Sequence, residues 1–239
     1  NRNAILKYNY ENLFIMNWSY QFVYNSRSLG NSASNYGTNA YTIRLGIETA
    51  GNLLYGLSSA SSMKRNADNQ YTLFGIAYAQ YAKLDFSFCK SFLINKNNSF
   101  AMRAAFGIAA PYGNSDILPY EKRYFSGGAN SVRGWSVREL GPGSFIGNDG
   151  RIDFINQTGD IKLDLNVEYR THLFWKFDGA AFIDAGNIWT IRDYKEQPGG
   201  QFRIDEFWRQ IAVSYGLGIR LNLGYFILRF DGGMKAIHP

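Results

Sequence analysis

Between Asp160 and His172 the chain alternates residue by residue. Ile161, Leu163, Leu165, Val167 and Tyr169 hold the odd positions, and Lys162, Asp164, Asn166, Glu168 and Arg170 stand between them. A period of two sends the two sets to opposite faces of a strand, whereas a helix would mix them. The pattern returns over 211–221, where Ile211, Val213, Tyr215, Leu217 and Ile219 alternate with Ala212, Ser214, Gly216, Gly218 and Arg220. Over 41–49, Tyr41, Ile43, Leu45 and Ile47 alternate with Thr42, Arg44, Gly46 and Glu48. Over 14–24 the even positions are Phe14, Met16, Trp18, Tyr20, Phe22 and Tyr24, a nearly all-aromatic stripe. Phe100, Met102, Ala104, Phe106 and Ile108 form another. Weaker alternation runs through 81–94, 177–189 and 225–234. Together these predict about eight strands of roughly 9 to 14 residues each.

Such strands suit a soluble sandwich or a membrane barrel. Strands of soluble sheets run to about 5 or 6 residues, and these are about twice that. A tilted strand needs about 9 to 11 residues to cross a bilayer. The wet faces carry Gly, Ala, Ser and single charges, as a water-lined lumen requires, and the greasy faces carry rings near strand ends, as in an interfacial girdle. The fold class expected is all-β, a transmembrane antiparallel β-barrel, and in lipid such a sheet must close to pair its backbone groups. The connections at 95–98, 173–176 and 222–224 are tight, and those at 51–80, 112–159 and 190–210 are long, the habit of outer-membrane barrels. The segment 26–39, rich in Ser, Asn and Gly, reads as a flexible turn on the tight side. A helical turn is expected over 204–208.

Composition agrees. The 239 residues are 46% hydrophobic and 17% aromatic but only 18% charged, with a mean hydropathy of -0.27. No stretch of about 18 apolar residues occurs, which excludes a bundle of transmembrane helices. The net charge of +6 comes from scattered Lys and Arg without a basic run, so no nucleic-acid partner is expected. Two histidines, His172 and His238, and one cysteine, Cys89, leave no Ser–His pair and no metal-ligand set. No enzyme, cofactor or metal is expected. Asn148-Asp149-Gly150 reads as a plain turn, since it lacks an EF-hand spacing. Cys89, Arg103, Arg170 and Arg220 fall on the wet face by parity. Trp175 and Trp189 read as girdle residues, and Lys90, which interrupts a greasy stripe, as a snorkelling lysine or a bulge.

The longest connector contains Phe125-Ser126-Gly127-Gly128-Ala129-Asn130-Ser131-Val132-Arg133-Gly134-Trp135. It resembles the lid loop of the BamA/TamA superfamily of outer-membrane assembly barrels, whose core is Val-Arg-Gly-aromatic. Two strands later, Phe182-Ile183-Asp184-Ala185-Gly186-Asn187-Ile188-Trp189 resembles that family's second signature, Phe-x-Asp-x-Gly-x-x-Trp, and Glu168-Tyr169-Arg170 is similar to its Glu-bearing strand. The resemblance covers the chain well from about residue 71 onward and the earlier part by strand pattern only. By parity Glu168, Phe182, Asp184 and Gly186 face the lumen. A loop folded back into the barrel would present Arg133 to them, and a guanidinium paired with a carboxylate is planar, bidentate and strong where water is scarce. An Arg133–Asp184 contact is therefore expected, with Glu168 nearby. Gly127, Gly128 and Gly134 would permit the tight backbone, and Val132 and Trp135 complete the motif.

The resemblance implies an outer-membrane assembly factor, a multi-pass barrel that inserts or translocates substrate proteins at its seam without ATP. Its partners would be unfolded outer-membrane proteins, outer-membrane lipid, and periplasmic chaperones and accessory lipoproteins. The alternatives are a passive structural or porin-like barrel and a two-partner secretion pore. Residues 1–239 are expected to be part of one transmembrane barrel domain of about 16 strands, with the lid loop at 112–159. The periplasmic N-terminal domains and the final strand are expected to lie outside this chain.

Overall fold

The computed structural model describes residues 12–26, 39–147, 153 and 155–239. Its elements in chain order are β1 (Leu13–Phe14), β2 (Asn17–Asn25), β3 (Ala40–Ala50), α1 (Asn52–Ala60), β4 (Thr72–Leu73), β5 (Ile76–Tyr78), β6 (Tyr81–Asn95), β7 (Asn98–Pro111), β8 (Ile161–Phe174), β9 (Phe177–Trp189), β10 (Ala212–Asn222) and β11 (Ile227–Ile237). The eight long strands form one antiparallel sheet in the order β11-β10-β9-β8-β7-β6-β3-β2. Each long strand therefore pairs with its neighbour in the sequence, the meander that tight hairpins impose. Among the described residues β2 and β11 do not pair with each other, so the sheet is a stretch of barrel wall rather than a closed barrel. It is nonetheless curled, because Asn25 on β2 and Arg229 on β11, at its two ends, line one cavity of about 690 Å³.

Alternation sorts the two faces as the parity pattern predicts. Trp18, Tyr20, Phe86, Phe106, Leu165, Ile183, Tyr215, Leu217 and Phe230 stand exposed on the convex face. Asp164, Glu168, Phe182, Asp184 and Ser214 lie buried on the other. Among the described residues no helix is long and apolar enough to cross a membrane. The apolar core sits at the long-connector end of the sheet, where Ala50, Ala79, Tyr81, Ala109, Leu118, Tyr124 and Ile188 pack together. The described connectors fold over that rim.

Three local departures have physical causes. The strand expected from Phe14 begins at Asn17, because Ile15 turns into the apolar cluster and the Phe14 carbonyl accepts from the Ala79 amide at 2.9 Å. The connector 51–80 is partly ordered as α1, entered through Gly51 at φ 76 with no side-chain cap. Ser58 anchors α1 by facing the Tyr78 hydroxyl at 3.2 Å. The expected turn over 204–208 is a 3-10 turn at Phe207–Gln210. Trp189 is corrected more sharply. It is 1% exposed, packed edge-on against Phe202 and Phe207, with its indole N–H donating to Gln210 Oε1 at 2.8 Å. The 190–210 connector covers it, so it is a core residue of the loop end and not a girdle residue. Lys90 lies over the Phe92 ring at 4.5 Å, its stem along the convex face. The turn read at Asn148-Asp149-Gly150 and most of the 26–39 segment lie outside the described residues.

A lysine at Leu165, on the lipid-facing side of β8, should lower stability in phospholipid bilayers by about 2–4 kcal/mol. Ser87→Lys, on the concave face, should cost less than about 1 kcal/mol. Denaturant titration of the full-length protein folded into vesicles measures both, and equal costs would invalidate the assignment of faces.

Candidate functional site

The long connector between β7 and β8 turns back over the concave face. Tyr124 enters first, pairing with Gly159 through two backbone hydrogen bonds of 2.8 Å and donating its hydroxyl to Asp85 on β6 at 2.7 Å. Gly127 and Gly128 then reverse the chain at φ 94 and 86, a left-handed conformation that a side chain would strain. The tip closes on itself as the Gly128 amide donates to the Trp135 carbonyl at 2.7 Å. Val132 and Trp135 are buried with Leu140 and Ala212 in a small apolar cluster, so the motif's two apolar residues seat the tip while its arginine faces the wall.

Arg133 meets that wall with every nitrogen of its fork. Nε donates to Asp184 Oδ2 at 2.7 Å and Nη2 to Oδ1 at 2.8 Å, a bidentate pair, and the Arg133 backbone amide adds a third bond to Oδ2 at 3.1 Å. Nη1 donates to Glu168 Oε2 at 2.7 Å and lies 3.4 Å from Asp231 Oδ2. The guanidinium also stacks over the Phe182 ring at 3.5 Å, which places its flat face where the ring's negative face attracts it. The side chains of Arg133, Asp184 and Glu168 are 7%, 0% and 8% exposed. Burial works against the arginine's charge, but its bonds to Asp184 and Glu168 outweigh this and hold its proton above the ordinary arginine value.

The carboxylates are held in turn. Asp184 accepts from Asn166 Nδ2 at 2.8 Å, and the same amide group donates to the Ser131 carbonyl at 2.7 Å. Glu168 Oε1 accepts from Arg170 Nε at 2.5 Å and from Arg220 Nη2 at 2.8 Å. Ser131 donates to Asp164 at 2.7 Å. The outermost strand joins as well: Arg229 donates to the Ala129 carbonyl at 2.9 Å, and Lys235 Nζ to Glu139 Oε1 at 2.5 Å. Burial tends to raise the Glu139 carboxyl, yet Lys235 and the Ser136 amide bring it below the usual range. That contact is therefore intact above the ordinary carboxylate pKa and is lost as pH falls through the lowered one. Gly134 makes the close approach possible, since a Cβ there would stand 2.6 Å from Ser214 Cβ and 3.2 Å from the Met234 carbonyl.

Of the residues singled out in the sequence, Arg133, Asp184, Glu168 and Phe182 form one cluster, with Val132, Gly134 and Trp135 seating it and Gly127 and Gly128 turning the loop. Gly186 stands beside it, opposite Asp164 in the β8–β9 register, where an added Cβ would strike the Leu163 carbonyl. Glu168 ligates the arginine directly rather than standing near it. Sequence reasoning missed Asp231, Asn166, Ser131 and the Lys235–Glu139 pair. Asp231 was findable: it is the one carboxylate on the concave stripe of β11, which also carries Arg229, Gly233 and Lys235.

Comparison with known proteins puts these features in context. The model of the Omp85 superfamily domain matches residues 3–237. A curated relative, the outer membrane protein assembly factor BamA of Neisseria meningitidis serogroup B, is 27% identical over 114 residues, 44% of this chain and 13% of that protein. The crystal structure of BamA from Haemophilus ducreyi lacking POTRA domains 1-3 superposes with a TM-score of 0.54 at 13% identity, covering 94% of this chain and 52% of that one. CdiB from Acinetobacter baumannii gives a TM-score of 0.42 at 16% identity, covering 94% of this chain and 40% of that one. The chain thus spans about half of the BamA crystal structure and a much smaller share of the curated relative.

Truncating Arg133 to Ala should cost about 3–5 kcal/mol, the usual penalty for stranding buried carboxylates. Arg133→Lys should recover only part of this, because an ammonium cannot make the fork. Hydrogen exchange at the Gly128 and Trp135 amides, together with a double-mutant cycle against Asp184→Asn, reads the effect. Unchanged protection in Arg133→Ala would show that the lid is held by something else.

Proposed function

This chain belongs to the Omp85 superfamily, and from that membership we propose that it is the barrel part of an outer-membrane factor that inserts or translocates other polypeptides without nucleotide hydrolysis. The observation that carries the reading is the lid tip clamped by Arg133 onto Asp184 and Glu168 inside a curled, membrane-type sheet. A passive barrel needs no such loop, whereas a barrel that handles polypeptide needs an internal element to hold its wall in one state and release it into another. The curated relative's description as an outer membrane protein assembly factor supports the same reading.

In this reading the 239 residues are one portion of a barrel of about 16 strands, set in the outer membrane and carried with periplasmic domains. The chemistry is association rather than bond-making, so no catalytic residue is required. A substrate strand pairs by its backbone with an edge at the barrel seam, which is β-augmentation at an edge that most proteins conceal. A bilayer thinned beside short seam strands lowers the barrier to insertion. The substrates are unfolded outer-membrane proteins, delivered by periplasmic chaperones and accessory lipoproteins.

Depleting the protein in its own host should reduce several unrelated outer-membrane barrels at least a few-fold, as read by quantitative proteomics of the outer membrane. A fall confined to one exported protein would replace general assembly with dedicated translocation. Unchanged levels throughout would leave a passive barrel.

A further inference from the structure

The cavity beneath the lid tip is strongly basic. Among the described residues five arginines line it, Arg44, Arg103, Arg133, Arg170 and Arg229, against a single carboxylate, Glu168. That carboxylate is already engaged by Arg133, Arg170 and Arg220. Arg103 reaches only the Asn130 carbonyl, at 2.7 Å, and has no carboxylate partner among the described residues. Arg44, on β3, lines the same space opposite Ser87 in the β3–β6 register. Arg133 and Arg229 are answered by Asp184 at 2.7 Å and Asp231 at 3.1 Å, so the charge without a carboxylate partner among the described residues is that of Arg44 and Arg103. Arg170 and Arg229, with side chains 48% and 35% exposed, flank that charge toward the tight-turn ends of β8 and β11.

Position and lining restrict the occupant. Asn25, Ser91, Arg170 and Arg229 lie toward the tight-turn ends of their strands, so among the described residues the cavity lies toward the tight-turn side, under Ala129, Asn130 and Arg133 of the lid. Thr42, Ser87, Cys89 and Ala101 make its floor small and polar, which offers no slot for an acyl chain, and the hydrogen-bonded wall separates it from the convex lipid face. The arginines sit on β3, β7, β8 and β11 and in the lid rather than converging on one point. A single phosphate is normally held by converging forks or amides, whereas a spread of cations in about 690 Å³ matches charges spaced along a chain.

We propose that this cavity is a docking site for acidic stretches of an unfolded polypeptide entering from the tight-turn side, with Arg44 and Arg103 as its main carboxylate partners. The proposal names a feature of the substrate and rests on the polypeptide-handling reading above. Carboxylates would pair with the two arginines that have no carboxylate partner among the described residues, and Thr42 and Ser87 would meet the backbone. Association of this kind is electrostatic, fast and salt-sensitive.

The test uses the full-length protein in detergent micelles and a fluorescent peptide of alternating Glu and Gly, with a Lys-for-Glu peptide as control, read by anisotropy. The acidic peptide should bind and the basic one should not, with affinity falling as salt rises. Arg44→Gln should weaken binding about threefold and the Arg44→Gln, Arg103→Gln pair about tenfold, the size expected of partly solvated ion pairs. Arg44→Lys should restore most of the loss, which keeps a folding defect distinguishable. Equal binding of both peptides, or an unchanged affinity in the double variant, would overturn the site. Full displacement by millimolar inorganic phosphate would reassign it to a small anion, and displacement by soluble glycerophosphate alone to a lipid headgroup. Because no insertion step is measured, failure of the assembly reading would appear in the proteome and not in this titration.

Discussion

A guanidinium buried inside a sheet wall must have each of its donors answered, and the architecture around the lid follows from that requirement. Desolvating a cation costs several kcal/mol, and the cost is recovered only when geometry and hydrogen bonds are complete. Arg133 achieves this with carboxylates from three strands, Asp184 on β9, Glu168 on β8 and Asp231 on β11. Glu168 also has Arg170 and Arg220, and Asp231 has Arg229, so among the described residues the lid arginine is above all the counter-ion of Asp184. The tip and the wall thus stabilise each other.

The same constraint shapes the strands that carry the carboxylates. Gly216 and Gly218 on β10 and Gly233 on β11 leave room on the concave face for Phe182, Asp231 and the lid backbone. A Cβ at Gly233 would come 2.7 Å from the Arg133 carbonyl, so the backbone of the lid lies directly on that of the outermost strand. Four successive concave positions of β11, Arg229, Asp231, Gly233 and Lys235, touch the lid. β11 is hydrogen-bonded to β10 on one side only among the described residues, so the lid supplies part of the support that a second neighbouring strand would give an interior strand.

The wall was legible from the sequence because one physical rule, burial on alternate residues, acts along its whole length. All eight long strands fall where parity places them, and the concave positions of Glu168, Phe182 and Asp184 follow from counting. Segments where several weak forces compete were not legible. α1 has no capping side chain and two exposed leucines, Leu53 and Leu57, and is fixed by tertiary contacts such as that between Ser58 and Tyr78. Trp189 has the parity and location of a girdle residue, and only the distant Phe202 and Phe207 decide that it is covered. Asp231 and Asn166 carry no motif of their own. Their roles depend on which strands lie under the lid tip, and that is a property of the fold.

An ionic anchor has a consequence that an apolar plug would lack. A greasy tip could slide out gradually, losing contact area in proportion to the distance moved. The Arg133 network is different, because each bond broken leaves a desolvated charge, and partly satisfied polar networks are less stable than either full pairing or full hydration. Intermediate positions of the tip are therefore penalised relative to the docked one, in which the carboxylates are answered. If acidic chain docks in the basic cavity as proposed, its carboxylates would compete with Asp184 and Glu168 for Arg133, so docking there would weaken the anchor by the same electrostatics that set it.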